Sequence, residues 1–313
     1  MPALLAHHMF VHRVMQQIEH AGMSVYNKNA ALIGAQGPDV FFFHRVLPWQ
    51  SGISYAKLGS RMHHISPARL FDEMQRTIAA DSRDREFMLG YMLGFLCHYA
   101  LDRTTHPYVY WAQTALEHDD PGYGKGRNRM YQYHFRIESA LDTIILRRET
   151  GKHVSGFDLS AAAPELSEQE RAAFARLYAP TLRRLFGVDA SPANLMHAPS
   201  DMRRIFRLID DKSLNRRRLL TLLERVARQG PFATSLLRPA DISDWDYANT
   251  EHRQWQNPAD PSHTYTSGFF ELYDEAAAEA FDMVAHFTSK LPNVCTLKLT
   301  DDRSFHTGIS FKE

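Results

Sequence analysis

The stretch Phe87–Tyr110, FMLGYMLGFLCHYALDRTTHPYVY, constrains the fold of this chain more than any other. Met88, Leu89, Met92, Leu93, Phe95 and Leu96 recur at the spacings of a buried helix. His98, Asp102 and His106 are set into it four residues apart. His98 and Asp102 therefore share one helical face, a turn apart, and His106 lies one turn further along. Pro107 is expected to end or kink the helix, which gives a span of about 84–105. Imidazole and carboxylate groups are costly in an apolar helix unless something satisfies them. A hydrogen-bonded core histidine or a simple His–Asp pair would account for part of this pattern. A metal ion accounts for all of it, because both group types are ligands on one face.

Composition narrows the classes. The 313 residues allow one large domain or two modest ones, and a hydrophobic share of 44% predicts a real core. Basic and acidic residues balance to zero net charge, which argues against a nucleic-acid protein relying on bulk positive charge. Seventeen histidines is a high count and points towards metal chemistry. Cys97 and Cys295 lie far apart, form neither a metal-ligand pair nor a disulfide framework, and suit a reducing compartment. The N-terminal MPALLAHHMFVHRV lacks the basic region, long apolar stretch and small-residue cleavage site of a signal peptide. No run approaches the roughly 18 apolar residues that a membrane span needs. A soluble, cytoplasmic protein is expected.

Further candidate ligands flank the central helix. Leu5, Met9, Val11, Val14, Met15 and Ile18 predict a helix over 5–20, which also carries His7, His8 and His12. His8 and His12 are a turn apart; either one alone reads as a surface residue. Ala30–Ile33 predicts a short helix broken by Gly34, Gly37 and Pro38, after which Asp39 sits at the edge of a core-seeking Phe41-Phe42-Phe43 run. Residues 45–60 read as a loop. Ser66 and Pro67 are a good N-cap and first residue for a helix over 67–80, which places His63 and His64 on the loop entering it. The segment 117–129 is a glycine-rich basic loop; Lys125, Arg127 and Arg129 read either as solvated or as a phosphate-contacting flap. A helix over 130–149 carries His134 and Glu138 at i, i+4, with Asp142 at i+8. Two facing helices that each offer histidine and carboxylate make the ligand cage of helical metal enzymes.

The rest reads mostly as helix, at about 167–186, 199–210, 213–228 and 267–290. Arg216-Arg217-Arg218 is expected on a solvated face, and 244–258 as an aromatic, polar loop suited to a lid or docking surface. Alternation at Thr296–Thr300 predicts a short hairpin within Val294–Ser310. No repeat, P-loop, GxGxxG or GxSxG is present. The expected fold is all-α, a multi-helix bundle with a metal cluster between helices. Residues 1–150 form the metal-binding region, and 151–313 a helical extension packed on it as one globular unit.

Taken in order, His8, Pro38-Asp39, His63 before a helix, His98…Asp102…His106-Pro107 and His134…Glu138 resemble the zinc-dependent phospholipase C family, whose fold is shared with single-strand-specific zinc nucleases. The resemblance covers about residues 1–150. It implies an all-helical fold with three metal ions in one cleft. It implies that Asp39, His63, His98 and Asp102 bind one zinc, that His106, His134 and Glu138 bind a second, and that Asp102 bridges to a third held by His8. It also implies Asp39 as a general base. The secreted phospholipases complete their third site with the amine of a processed N-terminal tryptophan, whereas this chain starts Met1-Pro2. The step from Asp102 to His106 is also shorter than in the secreted enzymes; those enzymes are exported and this chain shows no export signal, so it resembles the cytoplasmic-looking branch of the family.

Imidazole and carboxylate ligands suit zinc best, with manganese or iron as alternatives. Clustered divalent ions make a bound water acidic enough to give hydroxide at neutral pH and neutralise charge growing on phosphate oxygens. The expected activity is metal-dependent phosphodiester hydrolysis by metal-bound hydroxide, on a small-molecule or lipid substrate. Two rivals stand beside it: a nuclease or nucleotide phosphohydrolase on the same cage, and a non-enzymatic helical module with structural zinc. Aromatic stacking and cations around the cleft would favour bases; an open apolar rim would favour lipid.

Overall fold

A computed structural model describes residues 4–213, 215–226 and 231–311. Its axis is a helix of 35 residues, Arg85–Asp119, which is buried without interruption from Phe87 to Val109. Only a helix surrounded by other elements can be apolar all round. In chain order the elements are α1 (Leu4–His20), α2 (Lys28–Gly34), α3 (Ala56–His63), α4 (Pro67–Ala80), α5 (Arg85–Asp119), α6 (Arg129–Thr150) and α7 (Glu168–Phe186). Then come α8 (Pro192–Leu195), α9 (His197–Ile209), α10 (Asn215–Val226), α11 (Phe232–Ser235), an antiparallel hairpin of β1 (Trp255–Asn257) and β2 (Asp260–Tyr265), α12 (Phe269–Lys290) and α13 (Thr296–Thr300). Helices α1, α2, α6, α7 and α12 all pack on α5. The fold is all-α, and the histidine and acidic groups cluster between helices. One apolar core runs from Leu4 to Phe305. No described helix is long and apolar enough to cross a membrane.

The closeness of α2 and α5 depends on small residues. A Cβ at Gly94 would collide with the Ala31 carbonyl oxygen, and one at Gly34 with the Tyr91 carbonyl oxygen. The glycines in the FMLGYMLGF run thus let two backbones touch.

Several boundaries differ from the sequence reading. Pro107 does not end α5, which continues for three more turns to Asp119. Proline in a helix costs on the order of 3 kcal/mol. Beyond it, Tyr108, Val109, Ala112 and Leu116 are buried, and the Tyr108 hydroxyl donates to Tyr247 O at 2.8 Å, so tertiary burial outweighs the local cost. Residues 45–60 are not all loop. Tyr55, Leu58 and Met62 are buried, and α3 forms there, with His63 as its last residue rather than on a loop. Ser66 does cap α4, its hydroxyl accepting from Arg69 N. The expected hairpin at Val294–Ser310 is instead α13 followed by an isolated bridge between Arg303 and Ser310. Thr296 and Thr300 are buried while Leu297 is exposed, and the Thr300 hydroxyl bonds Thr296 O, an i−4 contact that alternation did not foretell. The hairpin that does form lies at Trp255–Tyr265, partly within the segment read as loop. Of the helix expected over 213–228, residues 214, 227 and 228 lie outside the described residues.

Candidate metal centre

Histidines and carboxylates from five segments converge at one cavity of about 320 Å³, which all of them but His98 line. Helix α1 brings His7, the turn Gly37–Phe43 brings Asp39, α3 brings His63, α5 brings His98, Asp102 and His106, and α6 brings His134 and Glu138. Three sets have ligand atoms close enough to hold one ion each: His7, Asp39 and His98; His63, His98 and Asp102; and His106, His134 and Glu138. All eight residues are buried.

Asp102 is the hub. Its Oδ1 is 3.3 Å from His7 Nε2, and its Oδ2 is 3.2 Å from His98 Nε2, 3.7 Å from His63 Nε2 and 3.7 Å from His106 Nδ1. Asp39 Oδ1 lies 3.4 Å from His63 Nε2. In the other set, Glu138 Oε1 lies 3.3 Å from His134 Nε2 and 3.6 Å from His106 Nε2.

The orientation of the rings matters more than their proximity. His63 Nδ1 lies 2.8 Å from Gly59 O, His98 Nδ1 3.2 Å from Ala35 O, His106 Nδ1 2.9 Å from Phe305 O, and His134 Nδ1 3.1 Å from Gln113 Oε1. Each acceptor is an oxygen that only accepts, so each Nδ1 carries the proton and each neutral ring has a bare Nε2. Oxygens bonded to the far ring nitrogen fix metal-binding histidines in this way. His63 and His98 then aim two lone pairs at each other across 3.4 Å. That contact is repulsive unless a proton or a metal ion sits between them; burial opposes the charged form of His98, but Asp102 and Asp39 raise it, so the position favours a cation and the residues present fit a bound metal ion.

The electrostatics agree. Burial opposes ionisation of Asp102, but His106 and His98 outweigh it and hold the carboxyl well below its ordinary range. Burial likewise opposes the charged form of His106, yet Asp102 and Glu138 push it up to about 9. His63 goes the other way: burial, with His98 beside it, lowers it to about 3. Burial raises Asp39. Burial opposes charge on each of these groups, and the carboxylates overcome it at His98 and His106 but not at His63.

Local sequence explains how the ligands are presented. Gly37 has φ +48, and a Cβ there would lie 2.6 Å from His98 Cγ. Glycine is required both by the backbone and by the imidazole above it. Gly37→Ala is expected to displace His98 and weaken zinc binding at least tenfold, read by competition with a chromophoric chelator; wild-type affinity would refute the role of this contact. Asp142, which continues the His134/Glu138 face, is not drawn into the cluster. Its Oδ1 accepts from Leu5 N at 3.0 Å and Ala6 N at 2.8 Å, pinning the start of α1. Asp142→Ala is expected to cost roughly 1–2 kcal/mol of stability in urea unfolding, the scale of a lost helix cap.

That pin decides which N-terminal histidine enters the site. It is His7 and not His8. One residue turns a helix by about 100°, so His8 faces away, its ring against His12 at 4.6 Å and Phe157 at 5.7 Å. Lys125, Arg127 and Arg129 are exposed and do not line the cavity. Arg129 pairs with Glu117 at 2.9 Å, and the Lys125 backbone is held by the Gln132 amide. The tryptophans of the aromatic loop do not line the cavity either: Trp245 Nε1 donates to Asp119 and Trp255 Nε1 to Ser267 O. Sequence reasoning missed His306, Tyr110 and the Phe305 carbonyl, which come together only through the C-terminal segment. Met1 and Pro2 lie outside the described residues.

Fold and site together define a helical protein with a buried histidine–carboxylate cluster between its helices. A family model described as zinc dependent phospholipase C matches residues 6–185, more than half of the chain. The chain belongs to that family. No curated protein and no solved structure matches it.

Proposed function

We propose that the chain is a zinc-dependent hydrolase of small-molecule or lipid phosphodiesters. It would hold two or three ions through His7, Asp39, His63, His98, Asp102, His106, His134 and Glu138. The observation that carries this reading is the convergence of the Nε2 atoms of His63 and His98, 3.4 Å apart, beside the Asp102 carboxylate. Family membership supports the hydrolase class. Asp102, with one oxygen towards His7 and the other towards His98, is placed to bridge neighbouring ions.

Bound divalent ions supply an acidified water and neutralise charge on the phosphoryl oxygens. Asp39, ionised beside the imidazoles, would take the proton of the attacking water as its oxygen bonds phosphorus. The phosphorus–oxygen bond to the organic group breaks, and the leaving alcohol is protonated by solvent. Phe42, Tyr110, Tyr131 and Phe135 wall the cavity, and no Lys or Arg is among the described residues that line it. An adjoining groove of about 660 Å³ shares His63, His64, Tyr110 and His306 with it and adds Pro258, Ile309 and Phe311. This favours a substrate whose charge is met by metal ions and whose organic part is apolar, over a polyanionic nucleic acid.

The test is turnover by zinc-loaded protein of an aryl phosphodiester, phospholipid vesicles and single-stranded DNA. Zinc-dependent hydrolysis is expected, faster on phospholipid than on DNA. Preference for DNA would move the assignment to a nuclease. No turnover of any phosphodiester, with zinc bound, would leave a structural role for the metal.

A further inference from the structure

His306 belongs to none of the three ligand sets, and the segment matched by the family ends far upstream of it. It nonetheless lines the metal cavity. Its ring lies 5.5 Å from that of His63, 4.7 Å from His64 and 5.7 Å from His106, centroid to centroid. Its backbone is held in place: His306 N donates to Ser304 Oγ at 3.2 Å, and Asn257 Nδ2 donates to Thr307 O at 2.8 Å. The preceding residue supplies the carbonyl that orients His106.

The Tyr110 hydroxyl lies 2.9 Å from His306 Nδ1. With the hydroxyl donating to Nδ1, the imidazole proton of the neutral ring sits on Nε2. That nitrogen is buried and has no hydrogen-bond partner. Buried polar atoms are almost always paired, and an orphan that lines a binding cavity marks where a ligand atom completes the bond.

We infer that His306 is a substrate-binding residue whose Nε2–H donates to a phosphoryl oxygen held over the metal cluster, with Tyr110 as the positioning residue that fixes its tautomer. The identity of the bound group rests on the phosphodiester reading above. The role lies on the C-terminal segment, outside the stretch that carries the family's motifs.

The test compares zinc-loaded wild type with His306→Ala, His306→Gln and Tyr110→Phe, reading inorganic phosphate affinity by titration calorimetry and zinc per chain by elemental analysis. Zinc content is expected to be equal in all four. Phosphate is expected to bind about tenfold or more weakly to His306→Ala, the scale of one lost hydrogen bond to a charged group. His306→Gln, which retains an N–H in reach, recovers part of the affinity, and Tyr110→Phe loses severalfold. If His306→Ala does not fold, His306→Phe keeps the ring volume without the donor and serves in its place. Unchanged phosphate affinity on removing the donor, loss of a zinc ion from the variant, or absence of phosphate binding to wild type would each overturn the inference. Because phosphate binding is read without turnover, the two readings separate. Binding through His306 without hydrolysis keeps this one and rejects the hydrolase; hydrolysis with unchanged affinity does the reverse.

Discussion

Substituting Asp102 by alanine is expected to cost the cluster at least one metal ion and reduce turnover by roughly 10⁴-fold or more, the scale of losing a principal catalytic group. One carboxylate here approaches four imidazoles, those of His7, His63, His98 and His106, all within 3.7 Å. They come from three different helices. No neighbouring acid can replace it at all of them: Asp39 reaches His63, and Glu138 serves His106 and His134. The sets of His106, His134 and Glu138 and of His7, Asp39 and His98 do not include Asp102, so at most two ions are expected to remain in the variant. Asp102→Asn keeps the shape but not the charge, and should lose most of the metal with less damage to folding. Elemental analysis and turnover are the measurements. Full activity in a metal-free Asp102→Ala protein would refute metal-dependent chemistry at this site.

Removing the metal should have the second largest effect, and it should depend on pH with a definite sign. His106 in the metal-free protein is pushed up to about 9, from an ordinary value of 6.5. A histidine raised on folding contributes stability that is fully present below 6.5 and is lost as pH rises through 9. Metal-free protein should therefore lose stability across that window on account of this group. Zinc binding must displace the same proton, so it should tighten by about tenfold per pH unit over the window for each proton released. Chelation at pH 8.5 is thus expected to lower the melting temperature more than chelation at pH 6.5, and zinc uptake near neutrality should release protons. Calorimetry in buffers of different ionisation enthalpy reads the release directly. Zinc affinity independent of pH between 6.5 and 9 would show that His106 is not where the metal binds.

The contrast between the two pH limbs is informative about His63. Burial and His98 lower it to about 3, so it disfavours folding as pH falls below 6.5 and is neutral across the alkaline window. Acid lability of the metal-free protein and its alkaline weakening would then have separate causes, and His63→Gln should relieve only the first.

Much of the site was legible because it is helical and local. His98 and Asp102, and likewise His134 and Glu138, face one another by spacing alone, since four residues make about one turn and no tertiary contact can undo that. The apolar run around them foretold a buried central helix, and Ser66-Pro67 foretold the start of α4, because capping is chemistry within a few residues. The all-helical fold followed from the same periodicity. Tertiary structure decided the remainder. His7 enters the cluster, and His8 does not, because a carboxylate 136 residues away at Asp142 sets the rotation of α1 through Ala6 N. The helix runs through Pro107 because burial of Tyr108, Val109 and Ala112 exceeds the local penalty. Thr296–Thr300 is a helix despite its alternation, since its threonines are buried against the rest of the fold while Leu297 faces outward. His306 and the Phe305 carbonyl reach the cavity from the far end of the chain, a placement no local pattern encodes. Spacing determines which side chains share a face; only packing determines which faces meet, because the energy that chooses between them is buried area and paired charge summed over distant segments.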